Sequence, residues 1–300
     1  MMTSTSRRHF LGNCGAVAAA ALLPVSTVAA APRMQFAYTA MTWGNEEAQA
    51  IDDIAALGFQ GIQFRDSVVK NFTPAQLRAL LQQRRLTFTA LSSGTVALDA
   101  DPKDEIARHV ANARYLKDSG GLYLQVLDKL TTYPRAPVAA DCAQLGRLLT
   151  EIGRRTADLG ITLGYHNHLN TLSQTPEGLE RILAAADARY VKFELDTAHA
   201  VAGGGDPAKM IADYRQQLLF LHLKDVVDVP ADAKGKYPFQ FVELGRGRVD
   251  FDGVFAALDK IDFHGWAVIE LDRVPQPGVT PRQSAMISKA YLKQELGVQW

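Results

Sequence analysis

The stretch of sequence that decides the fold is residues 145–166, LGRLLTEIGRRTADLGITLGYH. Its first half carries an apolar stripe at helical spacing: Leu145, Leu149, Ile152 and Leu159. One such stripe is typical of a helix that packs on a sheet. Gly160 stands where that helix should stop, and the apolar run at 161–166 predicts a strand. The stretch is therefore one helix followed by one strand.

The same alternation continues on both sides of this stretch. Eight apolar runs predict strands: 34–39, 61–64, 87–92, 123–127, 161–166, 191–196, 218–223 and 266–270. Between them, Thr73-Pro74, Asp101-Pro102 and Asp206-Pro207 are typical helix starts, with a capping side chain before proline. Eight repeats predict an α/β chain with a single (β/α)₈ barrel, a TIM barrel, over residues 31–300, near the roughly 250 residues usual for that fold. An open doubly wound sheet is the alternative, and it requires neither eight repeats nor their even spacing.

Composition restricts the class of protein and its partners. The chain has 300 residues, 47% of them hydrophobic, with 32 basic and 32 acidic side chains. This composition excludes a disordered chain or a multi-span membrane protein. A balanced charge also gives no basic footprint for phosphate backbones, so we expect no nucleic-acid partner.

The first thirty residues differ in character from the rest. Arg7-Arg8 is followed by Phe10-Leu11 and an alanine-rich apolar run at 16–23. This order predicts a twin-arginine export signal over residues 1–30, with small residues at its end for cleavage. The prediction implies the twin-arginine translocase as a partner and a periplasmic or secreted location. A membrane anchor is the alternative, but the run is shorter than the roughly 20 apolar residues that span a bilayer.

Histidine and carboxylate side chains end the last four predicted strands, whereas the ends of the first four strands carry fewer groups suited to catalysis. Four of the seven histidines lie at these ends together with two carboxylates: His166, His168, Asp196, His199, His222 and Glu270. The carboxyl ends of barrel strands meet at one rim, where such enzymes carry their chemistry. Nitrogen and carboxylate ligands suit one divalent metal ion, Mn²⁺, Zn²⁺, Co²⁺ or Fe²⁺. The alternative is that each histidine is a satisfied core or surface residue.

These motifs resemble a known family, the sugar isomerase and epimerase barrels related to xylose isomerase and endonuclease IV. The similarity spans most of residues 31–300, and its motifs follow the family's order: YHNH, LDTAHAVAGGGDP, LHLKD, ELGRGRVDF and GWAVIELD. Within the family, HNHLNTLSQTPE followed by LDTAHAVAGGGDP is most similar to inosose dehydratases, which remove water from a keto-inositol. The resemblance implies a xylose isomerase-like barrel.

The resemblance also implies a set of metal ligands. Family members commonly hold one divalent metal with a Glu, an Asp, a His and a second Glu from strands five to eight. By position these become His166, Asp196, His222 and Glu270. The family's first Glu is replaced here by His166, or functionally by His168. Since the epimerases use their two carboxylates as an acid/base pair, this departure favours a reaction with one base.

Further residues are candidates for catalysis and substrate binding. His168 is the leading candidate base, with Glu270 and Lys224 as further catalytic candidates. Lys224 would stabilise a negatively charged substrate oxygen, or would instead be an exposed partner of Asp225. Substrate contacts are predicted at His199, Glu243 and Trp43, of which His199 could instead orient a ligand, Glu243 could belong to a turn and Trp43 to the core.

The predicted function is metal-dependent chemistry on a small carbohydrate. A cation-polarised carbonyl acidifies the neighbouring C–H, and a base then yields an enediolate. Its reprotonation gives an isomerase or epimerase, and loss of a β-substituent gives a lyase acting on a keto-sugar, cyclitol or 3-keto-glycoside. An endonuclease-like phosphodiesterase and a non-catalytic sugar-binding barrel are the weaker alternatives. The sequence leaves the oligomeric state open, a homo-oligomer included.

Overall fold

The computed structural model describes residues 34–129, 139–229 and 238–298. Eight parallel strands close into a barrel in chain order: β1 (Met34–Thr39), β2 (Gly61–Arg65), β3 (Thr87–Val96), β4 (Tyr123–Asp128), β5 (Thr162–His166), β6 (Val191–Asp196), β7 (Leu218–Leu223) and β10 (Gly265–Ile269). The predicted barrel is confirmed, and each predicted strand overlaps an observed one. The predicted signal over 1–30 lies outside the described residues.

A short antiparallel hairpin stands apart from the barrel. It consists of β8 (Asp225–Asp228) and β9 (Phe239–Val242), which directly follow β7. The sequence analysis missed it because four-residue strands carry too little periodic signal. The hairpin brings the aromatic side chain of Phe241 to the barrel rim, within 4.9 Å of the His199 ring.

Helices surround the barrel: α1 (Glu47–Ala56), α2 (Val68–Asn71), α3 (Pro74–Arg84), α4 (Pro102–Asp118), α5 (Ala139–Ala157), α6 (Pro176–Ala185), α7 (Thr197–Ala202), α8 (Pro207–Asp213), α9 (Phe251–Lys260) and α10 (Pro281–Gln294). The three predicted starts are correct, since the side chains of Thr73, Asp101 and Asp206 cap α3, α4 and α8. Gly160 adopts a left-handed φ of 77° after α5, the conformation glycine accepts at least cost. Within the described ranges, none of the helices has the length and apolar character needed to cross a membrane.

Two apolar clusters build the core. The larger lies between the strands and the helices, and the smaller fills the barrel with Ala37, Ala90, Phe220, Trp266 and Val268. Above the smaller cluster the barrel interior becomes polar. On β7, His222 follows Phe220 by two residues and therefore faces the same interior, where it contacts Gln63 from β2. The apolar floor thus supports a buried polar layer directly below the rim.

One buried carboxylate fixes a long loop beside the rim. Asp225 accepts hydrogen bonds from the backbone N–H groups of Val226, Gly245, Gly247 and Val249. A Cβ on Gly247 would lie 2.1 Å from Asp225 Oδ1, so only glycine fits there. The LHLKD and ELGRGRVDF motifs therefore depend on each other. The predicted alternative of Asp225 as a surface partner for Lys224 is wrong.

Candidate metal centre and active site

Four strand-end side chains converge inside the barrel mouth. His222 Nδ1 lies 2.9 Å from Glu270 Oε2 and 3.8 Å from Asp196 Oδ2. The rings of His166 and His222 are 4.9 Å apart, and His166, Asp196 and His222 each offer a ligand atom within 4.8 Å of the others. All four side chains are buried. The residues predicted as ligands are thus neighbours in the structure.

The hydrogen bonding of this cluster fits a bound cation. Buried polar groups normally have hydrogen-bond partners, yet His166 Nδ1, Asp196 Oδ2 and His222 Nδ1 have none. Although Glu270 Oε2 is close to His222 Nδ1, the two atoms do not form an aligned hydrogen bond. Of these atoms, Asp196 Oδ2 and His222 Nδ1 lie 3.8 Å apart, and unpartnered nitrogen and oxygen atoms at such a spacing are the kind of donor set a divalent metal requires.

Local sequence explains how strands β5 to β7 hold these side chains. Asp196 caps α7 by accepting from the His199 N–H through Oδ1, which leaves Oδ2 turned to the barrel axis. Asn167 joins the ends of β5 and β6 by accepting from Asp196 N and donating to Asp196 O. Thr197 exchanges hydrogen bonds with the backbone of Lys224 at the end of β7. The last two links are made by residues that directly follow a candidate ligand in the sequence: Asn167 follows His166, and Thr197 follows Asp196.

A second pair of histidines lies beside the first cluster. The rings of His168 and His199 are 3.7 Å apart at their centroids. His168 Nδ1 lies 2.6 Å from the carbonyl of Leu169, which can only accept, so Nδ1 is the donor and Nε2 keeps its lone pair. His199 Nδ1 lies 3.3 Å from the Leu169 N–H, and its Nε2 lies 3.4 Å from the Lys224 ammonium. Both neighbours can only donate, so a neutral His199 ring accepts from one of them, and His168 Nε2 is the free acceptor of the pair.

Lys224 decides which histidine cluster suits a cation. Its ammonium is 1% exposed, lies 3.4 Å from His199 Nε2, and donates to Glu270 Oε1 at 2.9 Å and Asp272 Oδ1 at 2.5 Å. Burial alone would lower the pKa of Lys224, but Glu270 and Asp272 outweigh it and raise that pKa. A permanent positive charge beside His199 disfavours a metal between His168 and His199. The first cluster includes the carboxylates of Asp196 and Glu270 and therefore suits a cation better.

Burial and Lys224 also affect the protonation of the histidine pair. Desolvation, followed by the charge of Lys224, lowers the pKa of both His168 and His199. Both rings are therefore neutral near pH 7. A neutral imidazole can accept a proton, which is what a general base requires.

The two remaining predicted contacts have structural partners. Glu243 is buried and accepts from Ser284 Oγ at 2.8 Å and Arg246 Nη1 at 3.2 Å. Trp43 is 7% exposed, donates its indole N–H to Asp53 Oδ2 at 2.9 Å and packs edge-on against Tyr38. Their roles in substrate binding stay predictions.

Sequence reasoning missed two residues of the site. Glu194 is fully buried on β6, with Oε1 2.7 Å from His222 Nε2, and burial raises its pKa to about 7. Its signal was a Glu inside an apolar strand, two residues before Asp196 and thus on the same face. Phe241 lies 4.1 Å from Lys224 Nζ, measured to the ring centroid. It had no readable signal, because the hairpin that carries it was not predicted.

Comparison with known proteins identifies the family. A family model for the xylose isomerase-like TIM barrel matches residues 51–294, so the chain belongs to that family. It is 23% identical over 274 residues to an inosose dehydratase of Bacillus thuringiensis (strain Al Hakam), covering 85% of this chain and 91% of the relative.

Two solved structures show the same fold. The IolI protein with a bound zinc atom matches with a TM-score of 0.72 and 19% identity, covering 87% of this chain and 97% of that one. The 3-keto-D-glucoside 4-epimerase of E. coli matches with a TM-score of 0.68 and 17% identity, covering 87% and 98%. These structures confirm the predicted barrel, and the similarity to inosose dehydratases confirms the prediction of an enzyme.

Proposed function

We propose that the protein is a divalent-metal-dependent enzyme that removes an α-proton from a keto-sugar, a cyclitol ketone or a 3-keto-glycoside. One observation carries the proposal. The side chains of His166, Asp196 and His222 converge, each has a buried atom without a hydrogen-bond partner, and the neutral His168 imidazole lies 5.6 Å from the His166 ring. A carbonyl-polarising cation next to a base is the arrangement enolisation needs.

His166, Asp196, His222 and Glu270 are the residues that would hold the metal. When bound, a divalent cation would polarise the substrate carbonyl and acidify the adjacent C–H. Two imidazoles and two carboxylates form a ligand set suited to Zn²⁺, Mn²⁺, Co²⁺ or Fe²⁺. The zinc atom in the IolI structure, whose fold this chain shares, supports a metal in this kind of barrel.

His168 is the proposed base. Its Nδ1–H donates to Leu169 O, which orients the ring and leaves Nε2 free to accept the α-proton. The neighbouring Thr171 hydroxyl donates to the His168 carbonyl at 2.6 Å and fixes the loop that carries the ring. A positioned base of this kind contributes typically 10² to 10⁴ in rate.

Lys224 and His199 act on the developing negative charge. The raised pKa of Lys224 keeps it an ammonium, so it offsets negative charge on a substrate oxygen and does not act as a proton donor. His199 lies on the same side, with its Nε2 3.4 Å from this ammonium. Donors fixed in place before the reaction stabilise such charge without reorganising.

The outcome we favour is elimination. Among the described residues we assign one base, His168. The proton that it takes is therefore delivered again on the same face of the substrate. In a β-elimination the C–H bond breaks, the C=C bond forms, the β-C–O bond breaks, and the His168 proton leaves with that oxygen as water or an alcohol. The similarity to inosose dehydratases over 85% of this chain supports this outcome.

Isomerisation is the second candidate, and the same assigned base supports it. His168 would return its proton to the neighbouring carbon on the same face, while the hydroxyl proton on that carbon's oxygen passes to the former carbonyl oxygen. Inversion of the α-carbon would require a donor on the opposite face, and Glu270 is the predicted candidate. The carboxylate of Glu270 is already held by Lys224 at 2.9 Å, which makes epimerisation the less favoured outcome.

Phe241 is proposed as an apolar wall for the sugar. Its partly exposed ring contacts both Lys224 Nζ and the His199 ring. It therefore borders the two groups assigned to the substrate oxygens. An aromatic face beside such polar groups is suited to the C–H face of a sugar ring.

The experiment that tests the function uses metal-loaded protein in D₂O with inososes, 3-keto-glycosides and ketoses. Mass spectrometry should show a product lighter by water or an alcohol, or a product isomer that has gained deuterium. Neither product nor deuterium uptake from any of the three classes would contradict the proposal. A His168→Ala protein loaded with the same metal serves as the control, since it should retain substrate binding.

Export is a separate proposal that depends on Arg7-Arg8 alone. Twin-arginine recognition requires that pair, whereas the general secretory route accepts any positive charge. Arg7→Lys together with Arg8→Lys should leave the protein in the cytoplasm, as measured by cell fractionation. Normal export of the double variant would contradict the proposed route.

A further inference from the structure

We infer that Glu194 is a positioning residue that acts on the proposed metal through the ring of His222. The inference rests on the metal centre of the proposed function. Glu194 lies on β6 two residues before Asp196, on the floor of the site, and has no solvent exposure. A carboxylate in such a place is costly unless a positive charge or a donor compensates it.

The contacts of His222 Nε2 carry the inference. Two oxygens approach this nitrogen, Gln63 Oε1 at 2.9 Å and Glu194 Oε1 at 2.7 Å. The amide oxygen of Gln63 accepts and cannot donate, so Nε2 must carry the proton. The N–H points to Gln63 Oε1, and Glu194 Oε1 lies to the side of that bond without an aligned donor of its own. One proton thus faces two acceptors.

A chain of amides fixes this arrangement. Gln63 Nε2 donates to Gln125 Oε1 at 2.9 Å, so the Gln63 oxygen must face His222. With Nε2 protonated, a neutral His222 has its lone pair on Nδ1, the atom that faces Asp196 and Glu270. When ionised, Glu194 adds negative charge below the ring, which makes Nδ1 a stronger donor to a metal. Carboxylates behind metal-bound histidines commonly act in this way.

Glu194→Gln tests the inference, because it keeps the size of the side chain and removes the charge. Zinc affinity, measured by chelator competition, should fall about 10- to 100-fold, the usual effect of losing such a partner. The control is Glu105→Gln, which removes another buried carboxylate on α4, outside the barrel. Its zinc affinity should equal that of the wild type.

A second measurement reports on the ring itself. In ¹⁵N-histidine-labelled, zinc-loaded protein, two-bond ¹H–¹⁵N correlations should show His222 protonated at Nε2 and metal-bound at Nδ1. The N–H proton should shift upfield in Glu194→Gln, since a charged acceptor is lost. Glu105→Gln should leave that resonance in place.

The outcomes separate the inference from the proposed function. Equal zinc affinity and an equal ring resonance in wild type and Glu194→Gln would overturn the positioning role and leave the metal centre standing. A loss as complete as that in Asp196→Ala would make Glu194 a direct ligand and would also overturn the role. If the wild type binds no zinc but its His222 resonance still responds to Glu194→Gln, the metal centre fails and the link between Glu194 and His222 stands.

Discussion

The barrel rim has two halves, a first half formed by the ends of β1 to β4 and a second half formed by the ends of β5, β6, β7 and β10. Both halves bury carboxylates, but the hydrogen bonding of these carboxylates differs. At the end of β4, Asp128 accepts from Tyr165 OH at 2.5 Å through one oxygen and from Leu172 N at 2.8 Å through the other. At the end of β6, Asp196 uses Oδ1 for the cap of α7, and its buried Oδ2 has no partner. The first carboxylate is satisfied within the protein, and the second is not.

This difference separates buried polar groups that stabilise the fold from buried polar groups that are available to a ligand. A buried group with both oxygens satisfied stabilises its surroundings and has nothing left to offer a ligand. Asp128 fastens the loop after β5 in this way, because Leu172 lies in that loop. Groups that remain unpartnered at a strand end are held in place by the fold for something that binds.

The largest expected effect comes from substituting each of these two carboxylates in turn. Asp196→Ala should reduce the metal content from near one ion per chain to near zero, and activity with it, because an unpartnered ligand atom is lost. Asp128→Asn should retain the metal and lose about 1 to 3 kcal/mol of unfolding free energy, since buried hydrogen bonds are impaired. Elemental analysis and thermal unfolding measure both effects. Metal loss in Asp128→Asn alone would reverse the comparison.

The next effect concerns proton transfer within the second half. His168→Ala should keep the metal and lose roughly 10² to 10⁴ in the rate of α-proton exchange, as expected for a missing base. His264→Ala is the matched control, since the His264 side chain is 59% exposed, pairs with Asp262 and precedes β10, at the end of that strand opposite to Glu270. Exchange of deuterium into the substrate is the measurement. Metal loss in His168→Ala would make it the ligand in place of His166.

Much of this comparison could be predicted from the sequence, because barrel topology brings strand ends together. Apolar runs located the strands, and the residues that end them, such as Asp196 and His222, were therefore expected to meet. Glu194 was missed because a Glu within a strand is usually exposed, and only the closed barrel shows that its face is interior. Asp128, which ends β4, was not among the predicted candidates, and only the structure shows that Tyr165 and Leu172, which are distant in sequence, satisfy it. Sequence locates ionisable groups, and the three-dimensional contacts show whether they are satisfied.

A third test uses Glu105, a carboxylate with hydrogen-bond partners that lies on helix α4, outside the first half of the barrel. Glu105 on α4 accepts from Arg108 at 2.7 Å and from Ala97 N at 3.0 Å. Although burial alone would raise it, the nearby His109 and the hydrogen bonds from Arg108 and Ala97 lower the pKa of Glu105 to about 2.

A lowered pKa in the folded state means that the unfolded chain binds more protons between the two pKa values. The stabilisation by Glu105 should therefore be complete above about pH 4.5 and disappear as the pH falls toward 2. Wild type should exceed Glu105→Gln by about 1 to 3 kcal/mol at pH 7 and equal it near pH 2. Denaturant unfolding at several pH values measures this difference. A gap that does not change with pH would mean that packing, and not charge, is responsible.

The smallest expected effect compares aromatic side chains from the two halves. Phe241 contacts Lys224 and His199 in the second half, whereas the Trp43 indole is already bonded to Asp53 in the first. Phe241→Leu should raise KM roughly 2- to 10-fold with little change in kcat, since it removes an aromatic face from the substrate. Trp43→Phe should lose about 1 kcal/mol of unfolding free energy with its indole bond and leave KM unchanged. Steady-state kinetics and thermal unfolding of both variants measure these changes. If Trp43→Phe raises KM while Phe241→Leu does not, the sugar ring lies against the first half of the rim, as the sequence predicts for Trp43. That half, whose buried groups already have hydrogen-bond partners, would then also take part in substrate binding.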